Sequence, residues 1–191
     1  MIKTLHLLLI AVLSLTACVA QKATQSGYEK IIEITPGDSL RSVPEAVKKQ
    51  LNDYVAQRKR TIETSQLLLT GSNKKLMDNT SRWLAAKTEM NIHRINLSAL
   101  MSKYIGETEK NLEKVFARAK TNNCILFFDE ADALFGKRTE VKDAHDKYAN
   151  QEVAYLLQRI KRFNGIVFIP CVSADCIQDI EKLKMIKVAD E

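Results

Sequence analysis

The stretch Ile125–Asp132 reads ILFFDEAD, four apolar residues running straight into adjacent carboxylates at Asp129 and Glu130. A continuous apolar run suits a strand buried on both faces, as in the parallel sheet of an α/β protein. Acids at the carboxyl end of such a strand sit where open α/β sheets bind ligands. A hard carboxylate there can hold Mg²⁺, and a second one beside it can polarise an attacking water. Asp129 is the candidate metal and cofactor ligand, and Glu130 the candidate water-activating acid.

The elements needed to position these acids are legible in the hydrophobic pattern. A helix is predicted from Val43-Pro44 to about Arg58, with Val47, Leu51, Tyr54 and Val55 on one face. A strand at Gln66–Thr70 precedes Gly71, and a helix is predicted at Asn79–Thr88. A strand follows at Ile92–Asn96, then a short turn or helix at Ser98–Met101. Glu107–Lys120 reads as a helix burying Leu112, Val115, Phe116 and Ala119, with acids in its first turn that suit the dipole. Cys124–Phe128 is the central strand. After a loop at Gly136–Asp146, a helix at Lys147–Phe163 buries Ala149, Val153, Leu156, Leu157 and Ile160. Ile166–Val172 is a last buried strand, followed by a helical tail. Alternating strands and helices predict an α/β fold, a three-layer αβα sandwich around a parallel sheet.

The chain has 191 residues, 46% hydrophobic and 27% charged, with a net charge of +6. That suits a soluble globular core. No Arg-rich or aromatic-interleaved cluster stands out, so the excess charge reads as a solvated surface and no nucleic-acid partner is expected.

The amino terminus differs from the rest. Lys3 precedes the apolar run Leu5–Leu15, too short to span a bilayer, which needs about 20 residues, but suited to a secretory signal. It ends in Leu15-Thr16-Ala17-Cys18, which resembles the lipobox of bacterial lipoproteins. The resemblance implies a signal peptide at 1–17 and lipidation of Cys18. It further implies a lipoprotein anchored to the membrane on the periplasmic or outer-membrane side; a cytoplasmic location is the alternative. Residues 18–42 read as a tether, 43–65 as the amino-terminal helix and its connection, 66–180 as the core, and 181–191 as a tail. Beyond residue 18 the cysteines are Cys124, Cys171 and Cys176. Buried thiols or a pairing of Cys171 with Cys176 or Cys124 are both open, and no zinc-site spacing is present.

The core resembles the large subdomain of an AAA-type ATPase, a P-loop NTPase-like fold. Three blocks carry the likeness: Leu97–Leu112, Ile125–Arg138 and Thr139–Ile160. In the first, Tyr104-Ile105-Gly106 corresponds to the loop that grips substrate polypeptide in the family. The second is its Walker B motif. The resemblance implies ATP and Mg²⁺ as cofactors, with Asp129 on the metal and Glu130 as the water-activating acid.

The phosphate loop departs from this pattern. A Walker A loop needs glycines so that backbone N–H groups wrap the phosphates, a Lys for the β and γ phosphates, and a hydroxyl for the metal. Counted from Gly71, the lysine position falls on Met77 and the hydroxyl on Asp78. The inner glycines fall on Lys74 and Leu76. Lys74 and Lys75 are the cations left to offer a phosphate charge, or they cap a surface turn. The sensor asparagine position falls on Val172, and the arginine fingers near Leu183-Lys184. The sequence stops before the family's helical lid, from which a truncated core and no self-assembled hexamer are expected. The resulting expectation is a catalytically impaired AAA-like domain acting as a membrane-tethered module for an unidentified protein partner. An ATP binder with residual hydrolysis and a remnant without selected activity are the alternatives.

Overall fold

The computed structural model describes residues 27–60, 67–102, 104, 106–131, 144–170 and 184–189. Six strands, β1 (Glu29–Ile32), β2 (Leu67–Gly71), β3 (Ile92–Asn96), β4 (Ile125–Asp129), β5 (Ile166–Pro170) and β6 (Lys184–Lys187), form one sheet in the order β1-β3-β4-β5-β2-β6. β1 runs antiparallel to β3, and every other neighbouring pair is parallel.

Helices cover both faces. In chain order they are α1 (Glu45–Arg60), α2 (Lys74–Thr88), the single turn α3 (Leu97–Leu100), α4 (Glu107–Thr121) and α5 (Ala144–Arg162). The apolar run in β4 is continuous because its alternate residues serve two cores. Leu126 and Phe128 join Leu112, Val115, Phe116, Val153, Leu156 and Ile160 on the α4/α5 side. Ile125 and Phe127 join Val47, Leu51, Tyr54, Leu84 and Phe168 on the α1/α2 side. This is the three-layer αβα sandwich expected from the sequence. The helical faces named for α1 and α4 and the described part of α5 are buried as predicted, with Val55 only partly so.

Three stretches of the chain differ from the reading of the sequence. The 18–42 stretch, read as a tether, contains β1 and a 3₁₀ turn at Pro36–Leu40. β1 was hidden by its charges. Glu29 is buried, and its carboxylate takes hydrogen bonds from Arg118 Nη1 at 2.6 Å and lies 2.7 Å from His93 Nε2. Within the stretch read as a helical tail, the described residues Lys184–Lys187 form a strand, β6. Ile186 is buried there, as is Val188 just past the strand, and four residues are too few for either periodicity to declare itself. Finally, α2 begins at Lys74, five residues before the predicted start.

Candidate functional site: the carboxyl ends of β2, β3 and β4

The early start of α2 follows from Asn73. Its side-chain oxygen accepts the Leu76 N–H at 3.0 Å and its carbonyl accepts the Met77 N–H at 2.9 Å, the pattern of an N-cap. Only Ser72 and Asn73 therefore separate β2 from α2. Leu76 and Met77, at positions that a phosphate loop gives to glycine and lysine, lie inside the helix, and Met77 is 0% exposed. Gly71 has a packing role: a Cβ there would come within 2.3 Å of the Val188 carbonyl oxygen, which crosses the end of β2 while the Val188 N–H donates to the Thr70 carbonyl at 2.7 Å. Lys75 is exposed.

Asp129 ends β4 and sits in a cage of donors. Its Oδ1 lies 2.9 Å from Lys74 Nζ and accepts the Glu130 N–H at 3.0 Å. Its Oδ2 accepts Arg94 Nε at 3.0 Å and Nη2 at 2.7 Å. A carboxylate has about four lone-pair sites, and each here has a partner. Burial pushes the Asp129 carboxyl up, but the hydrogen bonds and charges of Lys74 and Arg94 outweigh it and hold the group below the ordinary carboxylate range. Arg94 is itself braced, its guanidinium 4.7 Å from the centre of the Phe127 ring, which stacks on Phe168. Its Nη1 donates to Asp78 Oδ1 at 2.8 Å, and Arg82 Nε donates to Asp78 Oδ2 at 3.0 Å. Asp78, at the position of the metal-binding hydroxyl, is thus engaged by two guanidinium groups.

Glu130 is exposed and left-handed, with φ of 57°. The structure therefore brings together Asp129, Glu130 and Lys74 and leaves Lys75 apart. Tyr104 is 73% exposed, its N–H donating to Ser102 Oγ at 3.2 Å, and Gly106 takes φ of 77°, which favours glycine, to start α4. Cys18, Ile105, Val172, Cys171, Cys176, Leu183 and the Lys184 side chain lie outside the described residues. Cys124 is buried, its thiol 3.5 Å from the Asn122 carbonyl oxygen.

Arg94 is the site residue that the sequence reading missed. The available signal was an arginine inside the short strand IHRIN, since a charge in a covered strand needs a partner.

In this arrangement the residues do not fit a magnesium–nucleotide complex: a divalent ion at Asp129 would have to displace Lys74 or Arg94. The turn from β2 into α2 is two residues long, and the Leu76 N–H is already taken by Asn73 Oδ1.

A mostly parallel sheet covered on both faces, with adjacent acids closing a central strand, defines a P-loop NTPase-like α/β domain. Residues 79–183, more than half of the chain, match the family described as ATPase family associated with various cellular activities (AAA). The chain belongs to the AAA family. It is 31% identical over 149 residues to a proteasome-activating nucleotidase of Methanosphaerula palustris, covering 75% of this chain and 35% of the relative. It is 26% identical over 149 residues to 26S proteasome regulatory subunit 10B homolog A of Arabidopsis thaliana, covering 75% of this chain and 37% of the relative. A stretch of 56 residues is 43% identical to an uncharacterized AAA family ATPase of Sinorhizobium fredii, covering 29% of this chain and 17% of the relative. The chain thus spans little more than a third of the relatives' length at most. The family binds ATP with Mg²⁺. The family match begins at Asn79, just past the Gly71–Asp78 stretch.

Proposed function

We propose that this chain is an AAA-type domain that does not turn over ATP and works as a membrane-tethered protein-interaction module. The observation that carries the reading is the burial of Met77 in a helix that starts at Lys74. A phosphate needs a wrapped loop and an ammonium at that place, and stabilising charge and position provide most of the catalysis in phosphoryl transfer. Tyr104, projecting from a loop pinned by Ser102 and Gly106, supplies a large apolar contact for a protein partner. The tether is the lipid on Cys18, a proposal that rests on the amino-terminal sequence. No described helix is long and apolar enough to cross a membrane.

One observation favours a second reading, a nucleotide binder with residual hydrolysis. Lys74 brings an ammonium to the Walker B acid, and Glu130 stays exposed beside it.

The test has two parts. Intact mass and membrane fractionation of the mature product from its host should show a diacylated chain beginning at Cys18; an unmodified, freely soluble chain would remove the tether. In the same host, Glu130→Gln should leave the phenotype unchanged while Tyr104→Ala abolishes partner capture. A clear defect from Glu130→Gln would establish that hydrolysis matters and favour the second reading.

A further inference from the structure

The ion pairs at the end of β4 do not stop at the Walker B acid. Asp129 on β4 holds Arg94 of β3, which holds Asp78 of α2, which holds Arg82 one turn later. Arg82 Nη1 lies 3.8 Å from Asp38 in the 3₁₀ turn, where Asp38 also accepts Arg41 Nε at 3.2 Å. Lys74 closes the other side of Asp129. Two carboxylates from different elements therefore converge on one guanidinium, Arg94, and that guanidinium lies 4.7 Å from the ring centre of Phe127 in the core.

We propose that Arg94, assisted by Lys74, is a built-in cation that takes the metal's place between Asp129 and Asp78 and holds β3, β4 and α2 together without any ligand. The inference deepens the reading of a domain that does not turn over ATP. That reading concerns turnover, whereas this one concerns what neutralises the two acids.

Two carboxylates that both reach one guanidinium repel each other unless a cation lies between them. A divalent ion is the usual bridge, and its affinity rises with the number of carboxylates offered. Here the bridge is covalently part of the chain, so its effective concentration is fixed and its geometry is set by the β3–β4 register, Arg94 opposite Phe127. A guanidinium matches two carboxylates through its planar fork, which an ammonium does not.

The experiment measures metal binding and stability together, on the full chain, by terbium luminescence and by urea unfolding with and without Mg²⁺. The wild type should show no sensitised terbium emission at millimolar metal and no change in unfolding midpoint with Mg²⁺. Arg94→Met should lower the midpoint, bind terbium at least about tenfold more tightly than the wild type, and regain part of its stability when Mg²⁺ is added. The Arg94→Met, Asp129→Asn double variant should lose the terbium site and be more stable than the sum of the single losses predicts. That cycle stays readable if Arg94→Met alone is too unstable to purify, because Arg94→Gln in the same cycle reports the same coupling. The inference is overturned if the two positions prove additive, if Arg94→Met gains no metal affinity, or if the wild type binds Mg²⁺ as tightly as the variant. ATP turnover by the wild type is a separate measurement that decides the functional reading.

Discussion

A lysine placed at position 77 would have to bring its ammonium into the cluster that includes Leu69, Leu76, Leu84 and Val188. An uncompensated charge there should cost about 3–5 kcal/mol, so Met77→Lys should unfold at much lower urea and gain no ATP binding. Met77→Leu should cost under about 1.5 kcal/mol. A well-folded Met77→Lys protein that bound ATP would show that the position faces a phosphate site. At Gly71 the constraint is the Val188 carbonyl, so Gly71→Ala should destabilise by about 1–3 kcal/mol without reference to any ligand. Asp129 and Glu130 were legible as a pair because their chemistry is adjacent in the chain. Arg94 was not: whether it meets Asp129 depends on which face of β3 it takes and on the β3–β4 register, neither of which local spacing reveals. The same holds for Glu29, whose partners His93 and Arg118 lie far along the sequence.

Among the elements, the 3₁₀ turn makes the clearest pH prediction. Asp38 Oδ2 accepts the Thr35 N–H at 2.7 Å and the Thr35 hydroxyl at 2.9 Å. Burial pushes its carboxyl up, but these bonds, together with Arg41 and Arg82, hold it below the ordinary carboxylate range. A group lowered on folding contributes stability that is present above its unfolded pKa and lost as pH falls through its folded one. Stability should therefore decline on acidification below the ordinary carboxylate range. Asp38→Asn should be less stable at neutral pH and show a shallower acid limb in urea titrations at stepped pH. An unchanged limb would mean that the turn does not feel this carboxylate. In α4, Phe116 packs against Phe128 and Phe163 with ring centres 5.8 and 5.4 Å away. Phe116→Ala should cost about 3–5 kcal/mol by the same measurement. The strong helical stripes of α1, α4 and α5 were readable because amphipathic spacing repeats over several turns. The start of α2 was misread because the polar run Ser72-Asn73-Lys74-Lys75 looks like a loop, when Asn73 is its cap. β1 and β6 were missed because four-residue edge strands carry too little pattern.

For the whole molecule, the three-layer architecture was written in the alternation of apolar strands with amphipathic helices, and the two cores on either side of β4 bear it out. The family was legible as a resemblance carried by three blocks, Leu97–Leu112, Ile125–Arg138 and Thr139–Ile160, all of which lie inside the stretch that matches the family. Placement of the ends was less legible, since the sheet gains an antiparallel strand at one edge and β6 at the other. Within this frame, the two-residue turn between β2 and α2 and the cations around Asp129 lie at the same end of the sheet, and the proposal of a domain that does not turn over ATP rests on both. The decisive measurement is the unfolding midpoint of the purified chain as Mg-ATP is raised to millimolar concentration. A ligand at a hundredfold excess over its Kd would add about 2.7 kcal/mol. No shift is expected at any concentration reached; a saturable rise in stability that needs both Mg²⁺ and ATP would contradict the proposal.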